Sequence, residues 1–208
     1  MLTVTEDLLL LVLQKYGGRF RKHSAEILRH TLVGSALLDL ELTDRIDTDL
    51  EHLEVVDPTP TGKAFLDPLL EEIASSEKPR DLWDWLQTLS PTMGDAIRDG
   101  AVENLVAQGI LERQGSSKSP RYRLTGDAGP TDARERIEKV LFSEDEIPTP
   151  QEVALICLAD ACDLLRSLFR KKRIKAALPR LQQIRKMELV GGGTVAHLAL
   201  LSLERSAL

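Results

Sequence analysis

Long apolar runs, cysteine pairs and catalytic signatures are all scarce in this 208-residue chain, and each shortage removes a class of function. The apolar run Leu8 to Leu13 is far shorter than the roughly 20 residues that span a bilayer. It follows Glu6 and Asp7 rather than a basic segment, so it reads as neither signal peptide nor anchor, and a soluble, cytoplasmic protein is expected. The two cysteines, Cys157 and Cys162, lie five apart in one apolar helical segment, a spacing that suits neither a disulfide within a helix nor a zinc pair. Both read as reduced core residues. His23 and His30 could align on a helix but lack carboxylate or cysteine support, so no metal site is expected. Gly191 to Gly193 is not followed by a P-loop lysine, and no activated nucleophile or nucleotide fingerprint is present. The chain does not read as an enzyme, and no cofactor is implied.

Charge, by contrast, is plentiful and unevenly spread. The net charge of −6 and pI near 5.3 argue against a protein that coats nucleic acid. Yet residues 1–163 hold 17 basic and 31 acidic groups, whereas residues 164–208 hold 10 basic and 2 acidic. The basic groups culminate in Arg170, Lys171, Lys172, Arg173 and Lys175, within a stretch from 164 to 186 that contains no acid. A basic helix over 166–186 is either a solvated face paired with acids elsewhere or a surface for an anionic partner.

Periodicity gives a mainly α, single-domain helical bundle of about nine helices with two small β-hairpins. Both hairpins fall in the N-terminal portion, residues 1–125, and a helical C-terminal portion covers residues 130–208. Thr3 and Glu6 have capping-box spacing and start a helix to about Lys15. A second helix, 24–42, has the apolar face Ile27, Leu28, Leu32, Ala36, Leu37 and Leu40. Thr43 to Val56 alternates as a hairpin, and Asp57-Pro58-Thr59-Pro60-Thr61-Gly62 then stops regular structure. Helices are expected at 63–75, 79–89, 92–108, 131–142, 152–167 and 194–204, with linkers at 126–130 and 144–150. Trp83 and Trp85 cannot share a helix face, so one is expected in the core and one at the surface.

Ala96 to Leu124 is the stretch with the clearest functional colour. Ala96, Val102, Leu105 and Val106 recur at helical spacing, Gly109 suits a helix C-terminus, and Gly115-Ser116-Ser117 reads as the turn of a second hairpin. Its tip carries Arg113, Lys118, Arg121 and Arg123 against Glu112, a cationic loop suited to a polyanion or an edge kept soluble by charge.

Leu2 to Leu13 is similar to the "LTLxEELLLLxL" opening of the Golgi phosphoprotein 3 family, and Gly34 to Leu40 resembles its "GaxLxeL". Asp57 to Gly62 with Leu66-Asp67 resembles "DxxPTG…LLD", Trp85-Leu86 falls at its helical tryptophan, and Asn104 to Leu111 resembles "NLVexGvL". The likeness continues through Ala154 to Ala159 and covers essentially the whole chain. It implies a peripheral membrane protein that binds phosphatidylinositol 4-phosphate, with a pocket of one tryptophan and three arginines beside a bilayer-touching hairpin that also mediates oligomer contacts. Carried over by position, the tryptophan falls at Ser24 and the arginines at Val33, Asp95 and Arg98, so only Arg98 is kept. Arg29 lies one turn before Val33, and Arg21 and Lys22 flank the lost tryptophan, so these compensate in the expected head-group site.

The compact length suits a bacterial member; a Golgi location applies only to a eukaryotic one. The resulting expectation is a peripheral membrane-associated adaptor acting on an anionic phospholipid surface, with protein partners and a homo-oligomer through the hairpin also compatible. The alternatives are a winged-helix-like nucleic-acid binder, with residues 91–108 as recognition helix and 112–124 as wing, and a protein–protein adaptor without lipid specificity. Asp95, Asp99 and Glu103 on that helix repel phosphate, so nucleic acid is not the expected partner.

Overall fold

The computed structural model describes residues 2–15, 18–19, 25–48, 52–78, 80–116, 119–125, 133–143 and 145–190. Arg21, Lys22, His23, Ser24, Lys118, the 126–130 linker, Gly191 to Gly193 and the expected helix 194–204 lie outside them. Among the described residues, eight helices and two two-stranded antiparallel sheets make a mainly α bundle with two small hairpins.

The bundle is built around α1 (Val4–Lys15), because a helix apolar on every side can only be satisfied by neighbours all round. Every residue from Val4 to Leu13 is buried, and α1 packs against α2 (Ala25–Glu41), α4 (Leu82–Ala107), α5 (Ala133–Phe142), α6 (Pro150–Ala161) and α7 (Leu164–Leu168). α6 is a second internal helix, buried without interruption from Val153 to Ala159. One apolar cluster joins these elements from Val4 to Ile184. Ile27 is the exception on the expected α2 face, 39% exposed before that face enters the core.

The capping box is formed: Glu6 N–H donates to Thr3 Oγ1 at 3.2 Å, and Thr3 N–H donates to Glu6 at 2.9 Å. Asp39 adds a tertiary cap from α2, its two oxygens accepting from the N–H groups of Val4 at 2.7 Å and Thr5 at 3.0 Å. The first hairpin pairs β1 (Ile46–Thr48) with β2 (Leu53–Val55), and α3 (Asp67–Ala74) follows the proline-rich loop.

Three expectations are corrected. Helices 79–89 and 92–108 are one 26-residue helix, α4, that runs through Pro91. Proline removes the backbone donor to Gln87 C=O, a single hydrogen bond, while the flanking Ser90 Oγ donates to Leu86 C=O at 2.5 Å and Thr92 Oγ1 to Thr88 C=O at 3.1 Å. The buried stripe Trp85, Leu86, Leu89, Gly94, Ile97 also continues across the proline, and its burial outweighs the local cost of about 3 kcal/mol. Conversely, the expected helix 152–167 is divided. Asp163 sits at φ 57°, a conformation that aspartate tolerates, and ends α6 before the short α7. The basic segment 166–186 is likewise not one helix, since Phe169 is extended and α8 (Lys171–Val190) begins after it. The third correction concerns Ala96, which is exposed; Ile97, at 1% exposure, takes its place in the core.

Trp85 is the core tryptophan, 2% exposed, while Trp83 is half-buried. Cys157 is a buried thiol outside any disulfide; Cys162, also a thiol, is only half-buried and donates to Leu158 C=O at 2.9 Å.

Candidate functional site

The site begins with a close crossing of α2 and α4, the most extensive helix pair in the fold. Gly94 makes it possible: a Cβ there would lie 2.6 Å from Arg29 Cβ and 2.9 Å from Arg29 Cα. With only hydrogen at that point, the α4 backbone rides on Arg29 and sets the next residue, Asp95, beside the Arg29 guanidinium. Arg29 Nη1 reaches Asp95 at 3.4 Å, and Arg98 Nη1, one turn further along α4, donates to the other Asp95 oxygen at 2.7 Å. Arg98 Nε donates to Asp99 at 2.8 Å. Burial disfavours the Arg98 charge, but Asp99 and Asp95 outweigh it and hold the guanidinium above its ordinary pKa.

Arg29 and Arg98 therefore share one surface, joined by a carboxylate. The quartet is formally neutral and remains accessible, with the Asp95 side chain 53% exposed. Val33, by contrast, is completely buried, so the position that the resemblance assigns to an arginine is core in this chain.

The second hairpin pairs β3 (Leu111–Ser116) with β4 (Ser119–Leu124), Leu111 opposite Leu124. Gly115 and Ser116 belong to the strand and pair with Pro120 and Ser119, so the expected turn does not begin at Gly115. The hairpin is docked through its backbone: Tyr122 N–H donates to Gly18 C=O at 2.8 Å. Gly18 has φ +80°, and a Cβ there would lie 2.2 Å from the Tyr122 carbonyl oxygen. A cleft of about 280 Å³ opens between hairpin and α1, lined by Leu13, Gly18, Leu111, Arg121, Tyr122 and Leu124.

Much of the hairpin charge is spent internally. Arg123 Nη2 donates to Glu112 at 2.6 Å, Arg113 pairs with Glu103, and Arg121 is exposed. The same division holds in α8. Arg173 donates to Glu138 at 2.6 Å, Arg185 pairs with Asp160, and Arg180 donates to the carbonyls of Val140 and Glu146. Arg170, Lys171, Lys172 and Lys175 are exposed.

Sequence reasoning missed the buried carboxylates. Asp39 is deeply buried, and burial pushes its pKa up to about 6 against the lowering effect of the Thr5 and Val4 donors. Burial also raises Glu41 to about 7, with Thr48 Oγ1 donating to it at 3.1 Å. Asp7 is raised by burial despite its pairing with Arg136. The available signal was position: acids embedded in runs of leucine must fold inward with them. Gly94 was also missed, though a glycine inside an otherwise regular helix signals close approach. Among the described residues no group of three or more His, Cys, Asp or Glu is arranged to hold a metal ion.

A helical bundle with a docked, charged hairpin and an arginine pair at a helix crossing defines a class of α-helical scaffold that presents a charged face. The match to the Golgi phosphoprotein 3 (GPP34) family model extends over residues 4–199, and the chain belongs to that family. No curated relative matches it. The family is one of phosphoinositide-binding proteins and is not a family of enzymes. Among the described residues no helix is long and apolar enough to cross a membrane.

Proposed function

We propose that the protein is a cytoplasmic, peripheral membrane-associated adaptor that engages a phosphoinositide head group, phosphatidylinositol 4-phosphate in the first instance, through Arg29 and Arg98. The observation that carries this reading is the convergence of two guanidinium groups from different helices on the single exposed carboxylate of Asp95. A phosphomonoester carries close to two charges at neutral pH and takes bidentate guanidinium contacts. It engages this pair by taking the place that Asp95 now holds. Arg21 and Lys22, outside the described residues, add charge to the same reading. Arg121 on the hairpin and the exposed cations of α8 contribute generally to anionic membranes, each worth about 1 kcal/mol near the surface; Arg113 and Arg123, paired with Glu103 and Glu112, contribute less, and Lys118 lies outside the described residues.

Sedimentation with phosphatidylcholine vesicles, with and without phosphatidylinositol 4-phosphate, tests the proposal, with duplex DNA as control. The expected result is lipid-dependent binding whose head-group selectivity Arg98→Glu abolishes. Selectivity unchanged in that variant refutes the site, and binding to DNA alone refutes the function.

A further inference from the structure

The charge on α8 has its own architecture at the α7–α8 junction. Phe169 ends α7 and is 5% exposed, its ring set edge-on to Phe142 of α5 at 5.2 Å and 78°. This aromatic pair is a platform for two arginines. Arg134 lies over Phe169 with its guanidinium carbon 5.5 Å from the ring centroid, and Arg173 lies over Phe142 at 4.1 Å. Stacking uses the flat face of a guanidinium and leaves its N–H edge able to donate within the plane. Between these groups and Arg170 lies a cleft of about 260 Å³, lined by Arg134, Leu168, Phe169, Arg170 and Arg173.

Positive charge predominates around the cleft. Arg170 C=O accepts from the N–H groups of Arg173 and Ile174, so α8 starts at the cleft and points the positive end of its dipole there. Its first turn adds Lys171 and Lys172 and has no acid. The opposing charge on α5 is Glu135, exposed, and Glu138, which holds Arg173 from the side at 2.6 Å. Arg134, Arg170 and Arg173 thus line an apolar floor, with Lys171 and Lys172 next in sequence, against Glu135 and Glu138 on α5.

We infer that this cleft is a second anion site, specific for a phosphate group, held by Arg134, Arg170 and Arg173 and separate from the Arg29–Arg98 pair. Three arginines, from α5, from the residue before α8 and from the first turn of α8, two of them set over aromatic rings, fit the several oxygens of a phosphate better than a single carboxylate. The phosphate is either that of a soluble small molecule or that of a lipid head group, and it does not depend on the Arg29–Arg98 reading.

Two arms distinguish those sources: calorimetric titration of the full chain with inorganic pyrophosphate, and sedimentation with phosphatidylcholine vesicles containing phosphatidic acid. Each is run on the wild type, Arg170→Ala, Arg134→Gln and Arg98→Glu. Arg134 and Arg170 are exposed, and unchanged thermal melts establish that their variants are folded. The expected result is saturable binding in at least one arm, weakened about tenfold or more by Arg170→Ala and by Arg134→Gln and preserved in Arg98→Glu. A pyrophosphate response identifies a soluble ligand, and a response to vesicles alone identifies a lipid. Absence of saturable binding in both arms, equal binding by Arg170→Ala and Arg134→Gln, or loss in Arg98→Glu overturns the inference.

Discussion

Asp95→Asn gives the most exacting test of the Arg29–Arg98 site, because the proposed function requires the protein to improve when a conspicuous ion pair is removed. Asp95 holds Arg98 at 2.7 Å and Arg29 at 3.4 Å, so a phosphate approaching either guanidinium stands about 6 Å from the carboxylate it displaces. The group is largely exposed, and the dielectric of water applies. Each of the two phosphate charges is then repelled by about 0.7 kcal/mol, together about 1.4 kcal/mol or roughly tenfold in affinity at low salt. At about 0.15 M salt, screening over a Debye length of about 8 Å halves that energy and leaves roughly threefold. Asparagine keeps an oxygen acceptor, and an exposed pair of this kind contributes under about 1 kcal/mol to folding, so stability should barely move. The assay is vesicle sedimentation with phosphatidylinositol 4-phosphate at both salt concentrations. Stronger binding that depends on Arg98, with the gain shrinking as salt rises, is the expected result. Binding unchanged or weakened at low salt refutes the assignment, since it would mean that Asp95 does not compete with the ligand.

The other expectations concern the scaffold. Gly94→Ala drives a methyl group into the Arg29 backbone and side chain, so a loss of about 1–3 kcal/mol is expected in urea unfolding, together with loss of head-group binding. Asp39→Ala leaves the N–H groups of Val4 and Thr5 buried without acceptors and should cost about 2–4 kcal/mol, read as a lowered denaturation midpoint. Glu41 is raised from 4.5 to about 7, so the folded state holds its proton more tightly than the unfolded one. That contribution is fully present below about pH 4.5 and is lost as pH rises through about 7. Glu41→Gln should therefore stabilise the fold at about pH 8 by about 1 kcal/mol after allowance for partial exposure, read as a higher melting temperature, and the difference should vanish near pH 4. Neutralising Lys171, Lys172 and Lys175 together should lower binding to anionic vesicles generally and in a salt-dependent way, without changing head-group selectivity.

The elements are legible where local chemistry agrees with tertiary demand. The capping box at Thr3, the leucines of α1 and both hairpins follow from residue type and spacing alone, since turn chemistry and periodicity act within a few residues. Pro91 and Asp163 mislead because propensity is local and the deciding forces are not. Pro91 is retained by a stripe of core contacts along α4, whereas the apolar pattern through Cys162 continues past a backbone that turns left-handed at Asp163. The Arg29–Arg98 pairing is half legible: helical spacing can relate Arg29 to Val33 and Arg98 to Asp95, but only the crossing at Gly94 brings the two helices together. The Phe142–Phe169 platform is not legible, because its members are separated in sequence by the whole of α6 and α7.

The motifs that resemble the family turn out to bind one another. Glu6, from the first, accepts from Asn104 of the last at 2.6 Å and from Lys63, beside the Pro–Gly loop, at 3.1 Å. Asp39, from the second, caps the helix that the first motif starts, and Asp67 accepts from Thr61 N–H at 2.7 Å to shape the loop between them. Glu6 is fully buried, so these contacts are closed to any ligand, and truncating one partner would strand a charge in the core. The recurring residues thus specify a scaffold: a polar seam that fixes α1, the loop and the end of α4 relative to each other.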